Sequence, residues 1–217
     1  LGAKVLQPRS VQFAMKYRVP VSVRSSFLAQ EGTLVTQEDS EMEQEVVSGV
    51  TCDKNQAKVT LIGVPDRPGI ASKIFSAVAH ENIVVDMIIQ NIGQGKLTDL
   101  SFTVPQRDAK RAKEALLKLQ PEMGVAAIEV MDHIAKVSIV GVGMRSHVGT
   151  AAKMFTVLAA EGINIIMIVT SEIKISCVVD AKYAELAVRS LHDAFLPANT
   201  VMAKKPDAAQ KQKSKQK

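Results

Sequence analysis

Polar and apolar residues alternate along Ala57-Lys-Val-Thr-Leu-Ile-Gly-Val64, which is the period of a strand. Beyond a Gly-containing loop, Ile70, Ile74, Ala77 and Val78 recur at the three- and four-residue spacing of a helix face. The same succession returns later in the chain. Ala135-Lys-Val-Ser-Ile-Val-Gly-Val142 agrees with the first run at five of eight positions, at an offset of 78. After a two-residue insertion, Gly69, Ala71, Lys73, Phe75, Ala79, Glu81, Ile83, Met87 and Ile88 match Gly149, Ala151, Lys153, Phe155, Ala159, Glu161, Ile163, Met167 and Ile168. The helix face of the second copy is Met154, Val157 and Leu158. Self-similarity of this kind marks a duplicated structural unit.

The rest of each unit follows from the same periodicities. Residues 83–92 and 97–104 read as strands around Gly93-Gln94-Gly95, a helix is expected at about 107–119 and a strand at about 125–131, so the unit is βαββαβ. The second copy has strands at about 163–170 and 173–179 and a helix at 181–194, but Pro197 and a polar tail leave no room for its last strand. An orphan strand, 46–52, stands just before the first copy. It is expected to complete the second sheet, which makes the fold α+β, with two βαββαβ modules, the first inserted within the second. The second module then comprises 46–54 and 133–196, and the first 55–132. Residues 1–36 differ, with an amphipathic helix at about 8–17, a strand around 19–23 and Gly32-Thr-Leu-Val35. So short a segment cannot bury enough surface to stand alone and reads as the severed end of another domain. An acidic linker (37–45) separates it from the modules, and residues 197–217 read as a disordered Lys-rich tail.

The 217 residues are 47% hydrophobic and 23% charged, which places the chain among globular proteins rather than disordered or collagenous ones. No apolar run is long enough for a membrane span. The first residues have no secretory apolar core, and a start at Leu1 rather than Met is expected of a piece of a longer, cytoplasmic reading frame. The net charge of +5 invites a nucleic-acid reading, but six Lys and one Asp among residues 204–217 account for all of it, and the body is neutral. A βαββαβ sheet that binds RNA needs exposed aromatics to stack bases, whereas here aromatics are 4%, Trp is absent and the candidate strands offer only Phe102. Cys52 and Cys177 lack metal-ligand or disulfide spacing and are expected as structural thiols.

Two loops carry the candidate chemistry. Pro65-Asp66-Arg67-Pro68-Gly69-Ile70 joins a strand to a helix and suits a small zwitterion: N–H groups at the helix start attract a carboxylate, Gly69 allows close approach, and Asp66 can accept an ammonium. Alternatively, Asp66 only caps the helix and Pro68 starts it. The second copy, Gly143-Met-Arg-Ser-His-Val-Gly149-Thr150, has no carboxylate, so the two loops are not chemically equivalent. Gly141 and Gly143 do not complete a dinucleotide fingerprint, the 143–149 spacing is wrong for a P-loop, and the four His show no ligand spacing, His147 alone lying near a candidate pocket. Asp86 interrupts the apolar run 83–89. It is either exposed at a strand edge or needs a partner, such as the ammonium of a ligand, because burying an unpaired polar group costs about 2 to 7 kcal/mol.

Together these residues resemble the regulatory region of the aspartate kinases, with its paired ACT domains. The resemblance rests on Lys58-Val-Thr-Leu-Ile-Gly-Val-Pro-Asp-Arg-Pro-Gly69, Val85-Asp-Met-Ile-Ile-Gln-Asn91, Lys136-Val-Ser-Ile-Val-Gly-Val-Gly-Met-Arg-Ser-His147 and Ile163-Asn-Ile-Ile-Met-Ile-Val-Thr-Ser-Glu-Ile173, and covers about 46–195. Gly2-Ala-Lys-Val-Leu-Gln-Pro-Arg-Ser-Val11 looks like the end of the family's amino-acid-kinase catalytic domain, with Gln7 where His is common. The resemblance implies ferredoxin-like modules, a homodimer formed through the ACT sheets, and a catalytic domain or subunit as partner. It implies feedback inhibition by threonine, lysine or both of an enzyme that phosphorylates aspartate with ATP and Mg, at the first step of lysine, threonine and methionine synthesis. The nucleotide and aspartate sites of that enzyme would lie upstream of Leu1, so no cofactor is expected in this chain. Effectors in the family lie between modules. Carried over by motif, the first cluster is Asp66, Arg67, Pro68, Gly69, Ile70, Ala71, Val84, Val85, Asp86 and Gln90; the second is Thr150, Ala151, Asn164, Ile165, Ser171 and Glu172. A sensor with no kinase partner and an acylphosphate-forming enzyme are the competing readings.

Overall fold

The computed structural model describes residues 5–36, 46–92 and 95–196. The acidic linker, the Gly93-Gln94 turn and the Lys-rich tail lie outside the described residues. In chain order the elements are α1 (Pro8–Tyr17), β1 (Val21–Val23), β2 (Thr33–Val35), β3 (Gly49–Pro65), α2 (Ile70–His80), β4 (Ile88–Ile92), β5 (Leu97–Pro105), α3 (Ala109–Met123), β6 (Ala127–Val140), α4 (Thr150–Ala160), β7 (Met167–Ser171), β8 (Lys174–Asp180) and α5 (Ala184–Phe195). Strands β1 and β2 form a two-stranded sheet, and the other six form one sheet in the order β4-β5-β3-β6-β8-β7.

The orphan strand and the first strand of the first copy are one continuous strand, β3, and the strands expected near 125–131 and 135–142 are likewise one strand, β6. The first half of β3 pairs with the second half of β6 (Gly49 with Val140, Cys52 with Val137), which completes the sheet of the second module. Its second half pairs with β5 and with the first half of β6 in the first module. The alternation read as two strands is broken because both long strands carry a bulge. Between the Asp53/Lys136 and Gln56/Ile134 pairs β3 has an extra residue, and between Gln56/Ile134 and Lys58/Met131 β6 has one. Directly paired residues point the same way, so Asp53, Gln56 and Lys58 share one face while Cys52, Ala57 and Val59 share the other. All four module helices therefore pack on the same face of the sheet.

Each module has its own core on that face. Val59, Leu61, Phe102, Ile74 and Leu116 are among the buried residues of the first, with Phe75 set edge-on to Phe102 at 5.4 Å between ring centres. Val137, Ile139, Cys177, Met154, Leu158 and Leu191 belong to the second. A third core lies on the helix-free face, where Met87 from the first module packs with Ile134, Met167 and Val178 of the second, flanked by Ile89, Ile166 and Val169. The sheet thus folds back at the bulges, and the helix-free faces of the two modules cover one another. Two sets of polar groups caught inside are matched, the Ser138 and Ser176 hydroxyls at 2.7 Å and the Lys136 ammonium with the Asp86 carboxylate, while the Gln56 Oε1 has no hydrogen-bond partner among the described residues. The face an RNA-binding sheet would present is consequently closed. Cys177 is buried, which pushes its thiol up to about 12, whereas Cys52 is only half-buried. Among the described residues no helix is long and apolar enough to cross a membrane. Helix α1 contributes nothing to any core, and Phe13, Tyr17, Phe27 and Leu34 of the first 36 residues are exposed.

The chain reaches β3 by passing directly over Gly141, where an added Cβ would lie 2.1 Å from the Val46 carbonyl oxygen. Gly141→Ala is expected to destabilise by about 1 to 3 kcal/mol through overpacking against backbone, lowering the melting temperature by several degrees, while Gly49→Ala, with no atom within 4 Å, leaves it unchanged. Calorimetric melting of the two variants checks this.

Candidate effector site

The loop from β3 to α2 is tied at one point to the β4–β5 turn, where the Asp66 N–H donates to the Lys96 carbonyl at 2.8 Å. It then turns through Gly69, whose φ of 88° is strained for other residues, and Gly149 repeats that φ in the second module. Gly69 is the N-cap of α2 and no side chain bonds the first turn. The capping role considered for Asp66 is therefore not what the fold uses, and Pro68 precedes the helix rather than starting it. Asp66 is exposed beside a helix N-terminus whose first N–H groups have no side-chain acceptor, and space over Gly69 is open to 4 Å. This is a place where a carboxylate and an ammonium can be received side by side.

The second loop is internally braced. His147 Nδ1–H donates to the Gly143 carbonyl at 2.8 Å, so His147 holds the loop rather than offering a ligand. Thr150, first residue of α4, is buried with its hydroxyl 3.5 Å from the His147 carbonyl. Arg145 Nε is 3.4 Å from Glu172, and the Gly141 N–H donates to Ile173 at 3.0 Å, fastening the loop to the β7–β8 turn that carries Ser171 and Glu172.

The remaining residues of each cluster lie elsewhere. Pro65, next to Asp66, pairs with Leu97, but the Asp86 N–H bonds Thr103, six residues further along β5 and about 20 Å away at the rise of a strand. Val84 and Val85 are thus at the opposite end of the module from Asp66, Arg67, Pro68, Gly69, Ile70 and Ala71, and Gln90 stands midway on the edge strand β4, opposite Leu100. In the second module Thr150, Ala151, Ser171 and Glu172 are at one end, while exposed Asn164 and half-buried Ile165 precede Ile166, which bonds Val178 towards the other. Each candidate cluster is therefore split between two ends of its module, a helix start at one and the residues leading into its edge strand at the other. Sequence reasoning had left the partner of Asp86 open, and the structure supplies Lys136. Lys136 was hidden because it occupies a polar position of an alternating strand, which ordinarily faces water.

The ACT domain family model matches residues 59–119 and 137–195. An aspartate kinase of Stutzerimonas stutzeri (strain A1501) is 52% identical over 196 residues, which are 90% of this chain and 48% of the relative. The chain thus spans about half the length of the curated relatives it matches. Among solved structures, one of aspartokinase alpha and beta subunits is 58% identical, covering 69% of this chain and 98% of the other with a TM-score of 0.65. The ligand-free regulatory subunit of aspartate kinase from Thermus thermophilus is 47% identical, covering 69% and 99%, with a TM-score of 0.66. Aspartokinase III of E. coli in complex with lysine and aspartate is 26% identical, covering 89% and 43%, with a TM-score of 0.69. With both modules matched and nearly the whole of a regulatory subunit covered, the chain belongs to the aspartate kinase family, as its regulatory region of two ACT domains.

Proposed function

We propose that this region senses threonine, lysine or both and thereby controls a cytoplasmic kinase that forms an acylphosphate from aspartate with ATP and Mg, at the first step of lysine, threonine and methionine synthesis. The observation that supports it best is the splitting of each cluster into half-sites at opposite ends of a module. A helix start can receive the carboxylate of an amino acid, but the strand residues that would close over it are about 20 Å away on the same module. A second copy supplies them. Among the described residues the outer strands β4 and β7 are the edges of the six-stranded sheet, and they carry exposed Ile88 at 52% and Ile168 at 42%, with Val84 at 73% in the segment leading into β4. Edges of this kind pair with another chain, and a homodimer with one module beside its neighbour brings a helix start of one copy to the edge-strand residues of the other. In that arrangement Asp66 takes the ammonium, the N–H groups around Gly69 and Ile70 take the carboxylate, and Gln90 and Asn164 add neutral hydrogen bonds that fix orientation. The exposed aromatics of residues 5–36 are consistent with a catalytic domain seated on that segment.

Removing one member of a charge pair closed off from water costs about 2 to 5 kcal/mol. Asp66→Asn is therefore expected to weaken binding of threonine or lysine at least about 30-fold in titration calorimetry, with an unchanged melting temperature because Asp66 makes no cap. Equal affinity in the variant would remove Asp66 from the site, and heat from neither amino acid with the unmodified chain would overturn the sensor reading.

Light scattering at micromolar concentration is expected to give a mass of twice 23.4 kDa. Introducing Lys at both Ile88 and Ile168 is expected to return the monomer mass, since charged side chains on edge strands block pairing. A monomer before substitution, with and without amino acids, contradicts the shared site.

A further inference from the structure

The residues that lead into β4 are held to the rest of the first module by Val85, which packs against its core, and by few backbone hydrogen bonds. The Asp86 N–H donates to the Thr103 carbonyl at 3.0 Å, the Thr103 N–H to Met87 at 3.0 Å, and the Met87 N–H to the Thr103 hydroxyl at 3.2 Å, so all three bonds converge on one residue of β5. Val84 and Val85 make no backbone hydrogen bond among the described residues. From its other side the segment is held by the burial of Met87 against Ile134, Met167 and Val178 and by the Asp86 carboxylate, whose holder also comes from the second module. Lys136, on β6, bonds it across the closed helix-free faces. The Lys136 side chain is 10% exposed against 35% for Asp86. Asp53 stands directly opposite Lys136 on β3 and accepts the Asn55 N–H at 3.0 Å and the Gln56 amide at 2.9 Å.

The duplication supplies an internal control. Lys58 is the counterpart of Lys136, and Ile166 is the counterpart of Asp86. Lys58 makes no ion pair among the described residues, and Ile166 packs into the apolar contact between the faces. The equivalent place in the repeat is thus filled by an apolar contact instead of an ion pair. Among the described residues, the first module, whose helix loop carries the Asp66 carboxylate, is the one whose edge-strand half-site is tethered by charge.

The geometry assigns Lys136 the part of a positioning residue: by holding Asp86 it sets the backbone of Val84, Val85 and Asp86, and it makes this half-site depend on how the second module is seated. The assignment rests on the reading of these residues as effector contacts, and the hold on Asp86 is testable without an effector. In hydrogen exchange of the unliganded chain, Lys136→Met, which keeps length and apolar stem but loses the charge, is expected to speed exchange of the Asp86 and Met87 amides at least about tenfold. The amides of Val137 and Ile139 stay protected. In titration calorimetry with threonine and with lysine, the same variant is expected to bind about tenfold more weakly, and Lys136→Arg, which keeps the charge, lies closer to the unmodified chain. Unchanged exchange at Asp86 and Met87 overturns the positioning role. Faster exchange throughout β6 overturns it as well, by making Lys136 a general structural residue. Local loosening with unchanged affinity severs the half-site from binding. If the unmodified chain binds neither amino acid, the sensor reading fails, and the exchange measurement still decides whether Lys136 holds Asp86.

Discussion

Two strands of the one six-stranded sheet each serve both modules, and side-chain alternation constrains what they can do. A continuous strand with a strict period of two would put Cys52 and Ala57, five residues apart, on opposite faces, and the helices of the two modules would lie on opposite sides of the sheet. One extra residue in β3 and one in β6, placed on either side of the Gln56/Ile134 pair, restore the phase in both strands at once. With all helices on one side, the other side is left bare in both modules and can be folded onto itself. The third core, the matched hydroxyls and the Lys136–Asp86 pair all follow from that closure.

The closure also explains how a four-stranded unit with one covered face avoids exposing the other. Met87, Ile134, Met167 and Val178 are buried although no helix reaches them. Each module completes the other's burial, so the pair behaves as one body, and the residues leading into β4 feel the second module directly. The segment of Val84 and Val85 is thus bordered by a side chain, Lys136, that belongs to the neighbouring module.

Much of this was legible in the sequence. The repeat gave two βαββαβ units, and the count of strands showed that the second lacked one which only residues 46–52 could provide. The joining of that strand to the next was not legible, because a bulge looks in sequence like the end of one alternating run and the start of another. Helix ends shifted for a similar reason: α3 continues to Met123 through Pro121, where packing of buried Leu116 and Met123 outweighs the proline. For the site, the helix loops and Asp86 stood out as polar or Gly-rich interruptions of apolar patterns. Their arrangement did not, since alternation says which face a residue occupies and nothing about which end of the sheet lies beside which loop. Lys136 was indistinguishable from Lys58, its counterpart in the repeat, until the fold covered one and not the other with a carboxylate.

The insertion of one module within the other also sets paired strand segments far apart in sequence. Ser48 and Val140 bond across 92 residues of sequence, with the whole of the first module between them. The first half of β3 is therefore far in sequence from its partner, with β5, α2 and α3 packed around the second half in between. Closing so long a loop is slow when the intervening chain is loose and far easier once that chain is a compact body with its ends held together. A compact first module thus brings the two strand segments of the second close together, so that a long separation in sequence becomes a short one in space.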